Sequence, residues 1–141
     1  MKKVLIICSK FNKNICDKLL DIAQDKLLQS NMTYQSVRVP GAFEIPSALS
    51  ICLSDRFAGY VLLGCVIRSE TSHFDYVCKE SCRGIAKITM QNKLAVGFGL
   101  ITAENKSQAM FRSDPNNDQN YAKQAVLACI EMIKLKDDMM Q

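Results

Sequence analysis

No stretch of apolar residues in this sequence is long enough to span a bilayer, which excludes a helical membrane protein. No run of lysine and arginine occurs, and the formal net charge of +4 is mild, so neither nucleic acid nor a membrane surface is an expected partner. G-x-G-x-x-G and the P-loop pattern are both missing, leaving dinucleotide and nucleoside triphosphate readings without a motif. Seven cysteines are scattered through apolar patterns without a C-x-x-C pair. That usage fits reduced, buried thiols in a cytoplasmic protein better than a disulfide framework. Cys78 and Cys82 are one helical turn apart but have no further ligands at metal spacing, so no metal site is expected. Internal repeats and low-complexity linkers are absent, and there is a single histidine, His73.

What is present is a chain of 141 residues, 48% apolar and 23% charged, which suits one soluble domain over residues 1–141 with a real core. Met1-Lys2-Lys3 ahead of Val4–Ile7 has the outline of a signal peptide. The apolar part is too short and lacks a small-residue cleavage site, so it reads as a first core strand. Apolar runs predict strands at Val4–Cys8, Tyr34–Val39, Gly59–Ile67 and Ala95–Thr102. Between them, helical spacing links Ile15, Leu19, Ile22, Ala23 and Leu27, then Ile45, Ala48, Leu49, Cys52 and Leu53, then Phe74, Val77, Cys78, Ile85 and Ile88. A short helix over Ser107–Arg112, a loop over Ser113–Asp118 and a last helix through Ala122, Val126, Cys129 and Ile133 follow, with the tail from Lys136 expected to fray. Alternating strands and helices imply an α/β fold, a three-layer α/β/α sandwich around a four-stranded parallel sheet of flavodoxin-like type.

In such sheets ligands gather beyond the carboxyl ends of the strands. The segments in that position are Ser9–Asn12, Pro40–Glu44, Arg68–His73 and Thr102–Asn105. They bring Phe11, Phe43 and Glu44 together with Arg68, Ser69, Glu70, Thr71 and His73 on one rim. Taken singly, each residue also has a structural reading. Phe11 can be a helix staple, Glu44 a first-turn carboxylate, Ser69 and Thr71 caps, and His73 a surface histidine. Their company favours function, because imidazole suits proton transfer near neutrality and a helix start attracts anions. Ser69, His73 and Asp75 are too close on one turn to aim at one another as a triad.

The segment P-G-A-F-E-I-P (Pro40–Pro46), with G-C-V-I-R-S-E-T-S-H-F-D-Y-V (Gly64–Val77), resembles the lumazine synthase family of riboflavin biosynthesis. G-F-G-L-I-T-A-E-N (Gly97–Asn105), Gln108-Ala109, Arg112, Phe11-Asn12 and Ile130-Glu131-Met132 extend the likeness in order from about Val4 to Leu135. The resemblance implies a transferase that condenses 5-amino-6-(D-ribitylamino)uracil with 3,4-dihydroxy-2-butanone 4-phosphate, without a cofactor. It implies a homo-oligomer with active sites at subunit interfaces, riboflavin synthase as a further partner, and a cytoplasmic location. By motif, Phe11 stacks on the pyrimidine, Ala42, Phe43 and Glu44 hold the ribityl chain and ring edge, and Cys65, Val66 and Ile67 meet the ring through backbone. Glu70 and Thr71 hold the phosphate, His73 transfers protons, and Phe98 and Arg112 come from the neighbouring subunit.

Three departures from the family pattern bear on these expectations. Ser69 stands where glycine is usual. The loop S-D-P-N-N-D-Q-N-Y-A (Ser113–Ala122) keeps the expected asparagine at Asn120 but has Tyr121 in place of a lysine. The segment before the first strand is short, which favours a homopentamer over an icosahedral shell. The altered loop keeps open a second reading, a non-catalytic paralogue that binds lumazine or flavin. A flavodoxin-like FMN carrier is a third, opposed by the lack of a Ser/Thr run over Ser9–Asn14.

Overall fold

Five consecutive apolar residues, Val4 to Cys8, can be buried on both sides at once only inside a sheet that is covered on both faces. In the computed structural model, which describes residues 1–140, they form most of strand β1 (Lys3–Ser9). Strands β2 (Thr33–Val39) and β3 (Gly59–Ile67) flank it in parallel, and β4 (Val96–Ala103) extends the sheet in the order β2-β1-β3-β4. The register staggers the carboxyl rim. Cys8 lies opposite Leu63, whereas Ile67 lies opposite Ala103, so the last residues of β3 pair with β4 and run on past β1.

Helices α1 (Lys13–Gln29), α4 (Lys106–Ser113) and α5 (Tyr121–Met139) cover one face, and α2 (Ile45–Ile51) and α3 (His73–Gln91) the other. Side chains alternate between two cores, as the pleat requires. Val4, Ile6 and Cys8 join Val61, Leu63 and Cys65 against α1 and α5, while Leu5, Ile7, Tyr60 and Leu62 pack on Ile45, Leu49 and Ile85. The three-layer α/β arrangement expected from the sequence is therefore the one observed. Among the described residues no helix is long and apolar enough to cross a membrane.

The sequence-predicted helices need two corrections. A 3₁₀ turn, Ala42–Glu44, precedes α2, which then stops at Ile51 instead of continuing through Leu53. The tail does not fray at Lys136. Helix α5 runs on to Met139, and the Lys2 ammonium pairs with Asp137 across the amino rim of the sheet. No glycine or proline interrupts this last stretch, so propensity supports the extension.

Two backbone positions explain residues that periodicity leaves unread. A Cβ on Gly97 would come within 1.8 Å of the Ala125 carbonyl oxygen, so β4 and α5 approach as closely as they do only because that side chain is missing. Helix α3 ends in a Schellman motif, with Leu94 N–H donating to the Thr89 carbonyl and Lys93 N–H to Met90. Its left-handed position is filled by Lys93 at φ 53°, where a side chain is strained. Gly97→Val is expected to lower unfolding free energy by about 3 kcal/mol, read as a fall in the urea midpoint at fixed protein concentration. Lys93→Gly should raise it by about 1 kcal/mol in the same titration, with turnover unchanged because the position lies at the opposite rim from the candidate site.

Candidate active site

Asparagine tolerates left-handed backbone, and Asn12, the residue before α1, uses it with φ 58° and ψ 56°. Its side-chain amide donates to the Cys65 carbonyl at 2.9 Å, tying the β1–α1 loop to the overhanging end of β3. Lys10 N–H donates to the Val39 carbonyl at 2.8 Å and Phe11 N–H to the Pro40 carbonyl at 3.1 Å, tying the same loop to the end of β2. Phe11 is thus held outward, 70% exposed, beside Phe43 of the 3₁₀ turn at 59%. That turn is fastened from below by the buried Ser81 hydroxyl, which donates to the Ala42 carbonyl at 3.1 Å.

Beyond β3, the Arg68 backbone N–H continues the ladder to the Ala103 carbonyl at 2.9 Å. Its guanidinium pairs with Glu104, spans both Asp75 carboxylate oxygens at 3.0 and 3.2 Å, and lies 4.5 Å over the Phe74 ring. Glu104 and then Asp75 hold the Arg68 charge in place, shifting its pKa upward. This cation is committed to two carboxylates and to the first turn of α3, leaving it poorly placed to receive an anion. Ser69 follows without strain, since Asn12, Asn31 and Lys93 are the non-glycine residues with positive φ among those described. His73 opens α3, its N–H 3.4 Å from the Thr71 hydroxyl.

These segments enclose an open cavity of about 710 Å³. Of the residues singled out from the sequence, Phe11, Ala42, Phe43, Glu44, Cys65, Val66, Ile67 and His73 line it, together with Ser69. Glu70 and Thr71 are exposed on the adjoining loop, outside the lining. Phe98 and Arg112 do not line it either. Phe98 lies on β4, 44% exposed, on the face that carries Leu100, and Arg112 is in α4 with one guanidinium nitrogen donating to the Thr102 carbonyl at 3.2 Å. Tyr76, Val77 and Glu80 also line the cavity and were not singled out as site residues. Their signal was the helical spacing 73, 76, 77, 80, which continues the His73 face into the next two turns. A second cavity, about 330 Å³, sits at the amino rim among Leu53, Asp55, Tyr60, Lys136 and others, away from the histidine and the carboxyl ends of the strands.

The lining suits a flat molecule. Two exposed rings flank the overhang of β3, whose residues beyond Leu63 have no β1 partner, so main-chain groups on that edge can meet a ring edge. Cys65 is no nucleophile, because burial pushes its thiol up to about 12 and it stays protonated near neutrality. Cys129, in the core, is pushed to about 12 by the same cause.

The fold and rim define a class, a small three-layer α/β protein with an open cavity at the carboxyl edge of its sheet. The 6,7-dimethyl-8-ribityllumazine synthase family model matches residues 1–137, and the chain belongs to that family. It is 40% identical over 135 residues to the 6,7-dimethyl-8-ribityllumazine synthase of Bartonella tribocorum, with 93% of this chain and 89% of the relative covered. The enzyme of the same name from Bartonella henselae is 42% identical over 136 residues, covering 93% and 88%. That of Paramagnetospirillum magneticum is 39% identical over 147 aligned residues, covering 99% and 97%. The resemblance read from the motifs is borne out.

The raised thiols carry a pH consequence. An unfolded thiol loses its proton near the ordinary value of 9.0, whereas folded Cys65 and Cys129 keep theirs to about 12. The folded state therefore binds more protons in that window, and stability falls as pH rises through it. The urea midpoint should decline above pH 9, and Cys129→Ala should decline less steeply than the wild type.

Proposed function

We propose that this chain condenses 5-amino-6-(D-ribitylamino)uracil with 3,4-dihydroxy-2-butanone 4-phosphate to give 6,7-dimethyl-8-ribityllumazine, releasing phosphate and water without a cofactor. The observation that carries this reading is convergence. Eight residues from four separate segments, Phe11, Ala42 to Glu44, Cys65 to Ile67 and His73, line one cavity. In the proposed mode Phe11 stacks on the pyrimidine, the 3₁₀ turn holds the ribityl chain, and the overhanging edge of β3 meets the ring through main-chain groups. Glu70 and Thr71 sit beside the start of α3, where the positive end of the helix dipole favours the ketone's phosphate.

The chemistry asks for alignment and proton movement. The amine adds to the ketone carbonyl, water leaves to form an imine, phosphate is eliminated and the ring closes. His73 takes and returns protons in these steps, contributing roughly a hundredfold, with alignment of the two substrates supplying most of the acceleration. Phe98 and Arg112 act from an adjacent copy of the chain, Phe98 closing the ring pocket and Arg112 pairing with the phosphate. Their position away from the cavity of their own chain supports that arrangement, as does the exposure of Phe98, Ile51 and Met90. The protein in this reading is a single-domain cytoplasmic homopentamer whose product is passed to riboflavin synthase.

Turnover tests it, with lumazine formation followed optically against the protein-free rate. The wild type should accelerate condensation strongly, and His73→Ala should lower kcat by roughly 10- to 100-fold while staying above the protein-free rate. Absence of acceleration by the wild type, with pyrimidine binding intact, would overturn the catalytic reading in favour of a binding paralogue.

A further inference from the structure

Arg112 and Arg68 stand at the same end of the sheet with opposite electrostatic fates. Arg68 is neutralised by Glu104 and Asp75, whereas Arg112 has no carboxylate within 4.0 Å among the described residues. What holds Arg112 is uncharged. One guanidinium nitrogen donates to the Thr102 carbonyl at 3.2 Å, and the guanidinium carbon lies 5.8 Å from the centre of the Tyr121 ring. A guanidinium over an aromatic face keeps its charge and the donors in its own plane, the geometry that pairs with phosphate oxygens.

The Tyr121 ring sits on a firm base. Tyr121 is the first residue of α5, half-buried against the core between α1 and α5. Asn120, fully buried before it, accepts from the backbone N–H groups of Ala122 at 2.8 Å and Lys123 at 3.3 Å, and its amide donates to the Asp114 carbonyl at 3.1 Å. Asn117 donates to the Phe111 carbonyl at 3.0 Å, so the loop is fastened back onto α4 one residue before Arg112. The neighbouring lysine is directed elsewhere on the loop, the Lys123 ammonium donating to the Pro115 carbonyl at 2.8 Å.

We propose that Tyr121 is the positioning residue for Arg112, its ring holding the guanidinium so that a single arginine presents its free N–H donors to the phosphate of the substrate. The inference rests on Arg112 being the phosphate ligand of the proposed function. It makes the loop before α5 a rigid aromatic support for one cation. Phosphate recognition then depends on the contact between ring and guanidinium and not on a second positive charge.

The test uses steady-state kinetics of the assembled enzyme, with inorganic phosphate as a competing probe. Tyr121→Leu and the more accommodating Tyr121→Met should each raise KM for the phosphorylated ketone and Ki for phosphate about fivefold, the worth of one partly exposed cation–π contact. KM for the pyrimidine should stay put, and Tyr121→Phe, which keeps the ring face, should restore the wild-type Ki. In an Arg112→Ala background, itself weaker for phosphate, the Tyr121→Leu change should add nothing. Unchanged phosphate Ki in both Tyr121→Leu and Tyr121→Met would overturn the inference, as would an equal rise in the pyrimidine KM or a full effect persisting in Arg112→Ala. If Arg112→Ala alone leaves phosphate Ki unaltered, the assignment of Arg112 as ligand has failed, and the role of Tyr121 falls with it.

Discussion

The stagger between β1 and β3 is the constraint on which the rest of this molecule depends. With Cys8 opposite Leu63, β3 extends past its neighbour and at that end has β4 as its one strand partner. Main-chain groups on an unpaired strand edge must find partners. The Asn12 side chain supplies one at the Cys65 carbonyl, and a ligand in the cavity can supply others. The same overhang carries Arg68 to the top of the sheet, beside Glu104 on one side and the first turn of α3 on the other. Loop positions, cavity shape and the placement of His73 all follow from that one register.

Charge at this rim is divided between two arginines with different work. Arg68 is held by carboxylates from two elements and stacks on Phe74, so it acts as a brace for the start of α3. A surface ion pair contributes little stability by itself, but a planar cation with two fixed partners restricts the geometry of the loop it spans. Arg112 is held by a carbonyl and a ring, which fix its place without cancelling its charge. The separation lets one end of a small sheet be stitched electrostatically and still keep one cation without a carboxylate partner.

Much of this was legible in the sequence, and the reasons are specific. Runs such as Val4–Cys8 and Gly59–Ile67 can be buried on both faces only within a covered parallel sheet. Parallel order alone then delivers Phe11, Phe43, Glu44 and His73 to one rim. Other features left no such trace. Lys93 occupies a left-handed position that glycine would normally mark, and the last helix outlasts its apolar periodicity in a stretch free of glycine and proline, where Asp137 meets Lys2 at the far end of the chain. Tyr76 and Glu80 were hidden in a helix whose buried face had already been assigned.

By itself the sequence determined the layer order, the chemical character of the rim and the family, because periodicity and contiguous motifs are local properties. The tertiary structure decided which of the gathered groups are free. Arg68 reads as an available cation until Glu104, 36 residues away, is brought against it. Tyr121 reads as a lost lysine until its ring is found beneath Arg112. Whether a charge is spent or available depends on partners distant in the chain, and only the packing of strands and helices brings those partners together.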